Sequence, residues 1–163
     1  MSEIEVLEYL SFKMLFAVIC GVAVGYERKI NDASASFKTQ ILVCVGSMLF
    51  TVIPNLAHPT TNSDGFRIIA QIISGVGFLG AGAILHKGNT NHVFGLTTAA
   101  WIWFTAAIGI LIGIDHGPAA IFVTLSLVSV INTARKIEIK YFSEKNKRRQ
   151  SDKGEKKELK EVA

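Results

Sequence analysis

The stretch FRIIAQIISGVGFLGAGAIL, residues 66–85, decides the fold. After Arg67 it carries no charge across a length that matches the roughly 20 residues a helix needs to cross about 30 Å of hydrocarbon. One such run fits inside a large soluble core, so the reading depends on its neighbours. Working outward, comparable runs lie at about 7–25, broken only by Lys13, and at 39–57, with Pro54 near its end. Two more follow at 96–114 and 118–133, the last opening on Pro118, a residue suited to a first helical turn. Five such runs leave no amphipathic surface to cover them. The sequence therefore predicts an all-α integral membrane protein with about five transmembrane helices.

Composition agrees. Half of the 163 residues are hydrophobic and 18% are charged, where a soluble domain carries about a quarter. The charge is also unevenly placed: 11 of the 17 basic residues lie after Thr133. The formal net charge of +4 thus describes a tail and not a surface. With no aromatic–basic interleaving, it points to anionic lipids and away from nucleic acid. The acidic start, Met1-Ser2-Glu3-Ile4-Glu5, lacks the basic region of a cleaved leader, so the first span is expected to stay. Cys20 and Cys44 lie inside apolar runs, at similar depths in the first two spans, and are read as small hydrophobes.

Lysine and arginine in the short loops set the expected orientation. Arg28, Lys29 and Lys38 flank the first loop, Lys87 lies in the third, and the tail holds eleven more. Loops 57–65 and 115–117 hold none, so 15 of 17 basic residues share a side, with Lys13 and Arg67 the exceptions. That side is expected to be the cytoplasm, which puts the N-terminus outside and the C-terminus inside. The division that follows is a five-span domain over 1–135 and a basic, largely disordered cytoplasmic tail over 136–163, too poor in apolar residues to bury a core.

Candidate functional residues are polar or small groups where lipid would not tolerate them. Arg67, Gln71 and Ser74 recur at helical spacing on one face of the third span, and Asp64 lies a turn before Arg67. The glycines Gly75, Gly77, Gly80 and Gly82 spread around that helix; the segment either packs closely on several sides or unwinds around a ligand or ion. In the fourth span Thr97, Thr98, Trp101, Thr105 and Gly109 share an arc expected to meet the third span. Glu27 and Arg28 close the first span after Gly21 and Gly25, whose spacing admits another backbone. His58 and His116, in outer loops near Asp64 and Asp115, lack metal-ligand spacing. No nucleophile–base pair or phosphate cradle stands out, so no enzyme activity, catalytic residue or cofactor is predicted.

The strings GVAVGYER (21–28), KTQILVCVGS (38–47), RIIAQIISGVGFLGAG (67–82), GLTTAAWIW (95–103) and AAIG (106–109) resemble the MgtC/SapB family of bacterial inner-membrane proteins over roughly 15–135. The resemblance implies about five spans in the bacterial cytoplasmic (inner) membrane. Many members add a C-terminal ACT-like domain where this chain is expected to have only its charged tail. Ser36 and Lys38 stand where the family usually has glycine and arginine, and Phe94 where it usually has a basic residue. Members are commonly labelled magnesium transporters, while others look like regulators active under magnesium limitation, stress or virulence conditions. Magnesium thus enters by resemblance alone, and the ligands of any metal stay unknown. With no Asp or Glu read as deep in a span, the expectation is a regulatory or homeostatic protein acting through intramembrane helix contacts. The alternative is a magnesium or other cation transporter with its site at the third span. Expected partners are the bilayer, anionic lipids at the basic tail, and other membrane proteins or further copies of the chain.

Overall fold

A computed structural model describes the backbone of residues 2–30, 37–57, 62–86 and 93–161, and the side chains of 2–30, 37–54, 56, 65–84 and 94–141. It contains the helices α1 (Glu3–Ile30), α2 (Phe37–Ala57), α3 (Asn62–Ala83), α4 (Leu96–Gly113) and α5 (Gly117–Glu161). Each includes a stretch long and apolar enough to cross a membrane. Between α3 and α4 the strands β1 (Leu85–His86) and β2 (Val93–Phe94) pair antiparallel, Leu85 opposite Phe94 and His86 opposite Val93. This small ladder lies in the connection between two helices of the all-α membrane fold that the sequence predicts. It forces the chain back sharply into α4: Gly95, the N-cap, has φ +89, and a Cβ there would collide with the Ala83 carbonyl. Only glycine accepts both conditions at once.

The chain divides into two compact units, Met1–Ser126 and Leu127–Ala163. In the first, Ala17, Cys20, Cys44, Met48, Val52, Ile108, Ile112 and Ala120 form the main core, so the two cysteines do share one cluster. A smaller cluster of Val76, Ile102 and Ala106 joins α3 to α4. Glycine decides how close the helices come. A Cβ on Gly21 would lie 2.8 Å from the Ile41 Cα, and one on Gly25 would lie 3.1 Å from the Phe37 carbonyl oxygen. On α4, Gly109 rests against the Cys44 carbonyl and Gly113 against the Thr51 side chain. Helix α2 is thus clasped between two seams, Gly21/Gly25 and Gly109/Gly113, each with the four-residue spacing that lets helix backbones meet in lipid.

Large apolar side chains point outward, Phe78 being 81% exposed, while the amide-bearing Gln40 is fully buried. Soluble proteins distribute these types the other way. In hydrocarbon the arrangement is the stable one, because polar groups must find partners inside the bundle.

In the second unit α5 runs on as helix to Glu161, past the point where composition predicts a disordered tail. The difference has a local cause. Lys, Glu, Arg and Gln are good helix formers, and a helix already nucleated upstream extends at little cost.

Candidate functional site

Five of the buried polar side chains gather toward one end of the first unit, where the last turns of α1 approach the first turns of α2 and α4. Glu27 and Arg28 are both buried, with Arg28 Nη1 3.9 Å from Glu27 Oε2. Arg28 Nη2 donates to Thr98 Oγ1 at 3.5 Å, and the guanidinium lies 6.0 Å from the Trp101 ring centre. That stacking suits a planar, weakly hydrated cation. Two turns further along α4, Thr105 Oγ1 donates to Gln40 Oε1 at 2.7 Å and is also 2.8 Å from the Trp101 carbonyl of its own helix. Arg28 Nε and Gln40 Nε2, both buried, meet no acceptor among the described residues. Open donors of this kind complement a carbonyl, a water oxygen or an anion, and repel a metal cation.

A second polar knot ties the opposite end. Lys13, read from the sequence only as an interruption, is 4% exposed. Its ammonium donates to the carbonyls of Ile112 (3.0 Å) and Gly113 (2.7 Å), at the C-terminus of α4. The same nitrogen lies 2.8 Å from Asp115 Oδ1, and Tyr9 donates its hydroxyl to both carboxylate oxygens at 3.1 Å. A cation here satisfies carbonyls that the helix leaves open and faces the negative end of its dipole. Asp115 holds its place with φ 69, a left-handed conformation that Asp tolerates better than most residues.

The structure brings together some sequence-predicted residues and separates others. Glu27, Arg28 and Thr98 meet as described; Thr97, one residue on, is exposed. The arc of Thr98, Trp101, Thr105 and Gly109 does not meet the third span: it faces α1 and α2. Helix α3 reaches α4 instead through Val76 against Ile102 and Ala106, and through Gly80 near Ala99. Threonines prefer the polar seam with Gln40, which leaves the apolar side of α4 for α3. Arg67, Gln71 and Ser74 lie exposed on α3, away from both knots.

The glycine-rich segment is continuous helix, not unwound. Nor is it packed on several sides: a Cβ on Gly75, Gly77 or Gly82 would meet nothing within 4 Å, and one on Gly80 only Ala99 at 3.6 Å. The Asp64 side chain and all of His58 lie outside the described residues. His116 is exposed, its Nδ1 2.6 Å from the Ile114 carbonyl. No group of three or more potential metal ligands occurs among the described residues. Gln40, Lys13, Asp115 and Tyr9 are additions to the sequence reading. Lys13 carried a usable signal, since a lysine in an apolar run must find acceptors inside the protein.

These features define a multi-pass membrane protein whose helices are drawn together by glycine seams and fastened at both ends by buried polar ties. The profile of the MgtC family matches residues 14–140, and the chain belongs to that family. A Haemophilus influenzae protein described as uncharacterized is 35% identical over 85% of this chain and 60% of its own length. "Putative magnesium transporter YhiD" of Escherichia coli K12 is 41% identical over 65% of this chain and 51% of its own. "Protein MgtC" of Salmonella typhimurium is 39% identical over 71% and 48%. The chain therefore spans about half the length of these relatives. No solved structure matches it.

Proposed function

We propose that this chain is a non-catalytic regulatory or homeostatic protein of the bacterial cytoplasmic membrane, linked to magnesium supply and acting through helix contacts within the bilayer. The magnesium link comes from the name of the YhiD relative and from membership of the MgtC family. The observation that carries the regulatory reading is the use made of interior polar groups. Lys13 is tied to the end of α4, Arg28 to Thr98, and Gln40 to Thr105. Around them Gly21, Gly109 and Gly113 have no room even for a methyl group. These groups fasten helices to each other, and they do not offer the several oxygen ligands and retained waters that magnesium demands.

In the orientation proposed from loop charge, the Glu27–Arg28 corner faces the cytoplasm and the Lys13–Asp115 knot the outside. Other membrane proteins are the expected partners in the bilayer, and anionic lipids meet the basic end of the chain. Full-length protein reconstituted in liposomes containing a magnesium indicator provides the test. The expected outcome is no protein-dependent flux at any protein density. Robust flux, abolished by Gln71→Ala in protein that is still folded and inserted, would establish the transporter reading in its place.

A further inference from the structure

Between α2 and α3 lies an open groove of about 610 Å³, mostly apolar, with Gly46 and Gly75 in its lining. Along α2 it runs from Thr39 to Phe50, about 16 Å at 1.5 Å per residue. A groove of this length and lining accepts a single hydrocarbon chain laid along it. The groove also has a polar end. Gln71, nine residues into α3, contributes to the lining, and the exposed Arg67 stands one turn nearer the start of that helix. Arg67 is one of only two basic residues off the lysine- and arginine-rich side of the chain.

We propose that the α2–α3 groove binds one acyl chain of an anionic phospholipid, with its phosphate on Arg67 and its ester region against the Gln71 amide. Charge complementarity selects the headgroup: a guanidinium at the bilayer boundary favours an anionic lipid over a zwitterionic one. The side-chain amide donates to an ester carbonyl that would otherwise go unpaired at that depth. The rest of the lining is apolar apart from Thr39 and Ser47, which suits a hydrocarbon chain. This binding is independent of whether the protein regulates or transports.

The fold makes the test clean. A side chain added at Gly46 or Gly75 points into open space, so Gly46→Leu and Gly75→Leu block the groove without disturbing a helix contact. Gly77→Leu is the control, since Gly77 is equally open but lies outside the lining. Full-length protein in vesicles of phosphatidylcholine doped with acyl-chain photoreactive phosphatidylglycerol is irradiated and the labelled residues are mapped. Labelling should concentrate on groove residues such as Leu42 and Ile72, be lost in both blocking variants, and persist in Gly77→Leu. Arg67→Gln should lower the preference for phosphatidylglycerol over a phosphatidylcholine probe roughly fivefold while keeping groove labelling. Even labelling over all outward faces, or labelling indifferent to Gly75→Leu, would overturn the proposal. So would a change of oligomeric state in the blocking variants, which would make the groove a contact between proteins.

Discussion

At the scale of single residues, the two buried cations are held by different means and respond differently to substitution. Arg28 has one long hydrogen bond, a nearby carboxylate and an aromatic face. Lys13 has two carbonyls and a carboxylate at short range. In Lys13→Met the methylene stem is replaced by a similar shape, so the loss is the charge-assisted bonding to two carbonyls that then go unpaired. That costs about 1–3 kcal/mol. Asp115→Asn removes the ion pair and one of the two acceptors for the Tyr9 hydroxyl, and Asp115 is 63% exposed, so screening reduces the effect to below about 1 kcal/mol. Asparagine also tolerates the left-handed backbone. Reversible unfolding in mixed detergent micelles should therefore rank Lys13→Met well below Asp115→Asn in stability. Equal losses would mean that the ion pair, and not the helix cap, holds this end together. The sequence located Lys13 but not its role, because the partners are backbone atoms of a helix a hundred positions away, and backbone groups carry no signature in a sequence.

At the scale of the helices, glycine placement separates what was legible from what was not. Spans, their number and the Gly21/Gly25 approach follow from hydropathy and spacing, since length and four-residue repeats are local properties. Which glycine-bearing helix packs and which stands open is a property of the neighbours. The dense cluster in α3 attracts attention as a packing or binding element, yet Gly75, Gly77 and Gly82 face open space, while the sparse pair Gly109 and Gly113 is pressed against α2. Glu27, Arg28 and Thr98 were legible singly, and their meeting was not, because the partner face of α4 depends on Gln40, a residue with no motif around it. The same geometry sets the expected mutational pattern. Gly109→Ala and Gly113→Ala drive a methyl group into the Cys44 carbonyl and the Thr51 side chain, overpacking worth about 1–3 kcal/mol each. Gly75→Ala, Gly77→Ala and Gly82→Ala meet nothing and gain helix propensity, so they should be neutral or slightly stabilising. The comparison requires yield and unfolding midpoint for each variant. Losses in the α3 series equal to those in α4 would show that α3 is covered by a partner in the membrane.

For the whole molecule, the question is which way the bundle faces, and the two polar knots sharpen the argument from loop charge. By count, 15 of 17 basic residues lie on one side. Counting treats Lys13 as an exception, but in the folded protein its charge is paired with Asp115 and faces the carbonyl end of α4. Asp115 does not oppose the rule either, because acidic residues contribute little to it. That leaves Arg67 as the only basic residue set against the tail, the pair at 28–29, Lys38 and Lys87. With an odd number of spans, the orientation we propose has the N-terminus outside and the C-terminus in the cytoplasm. Reporter fusions after Asp64 and Asp115 should read as external, and fusions after Lys38, Lys87 and Ala163 as cytoplasmic. The arrangement also carries an internal check. Because Lys13 is already paired, Lys13→Met should leave every fusion unchanged, whereas replacing Arg28, Lys29 and Lys38 together should produce molecules of mixed orientation. A cytoplasmic signal at Asp64 would overturn the topology.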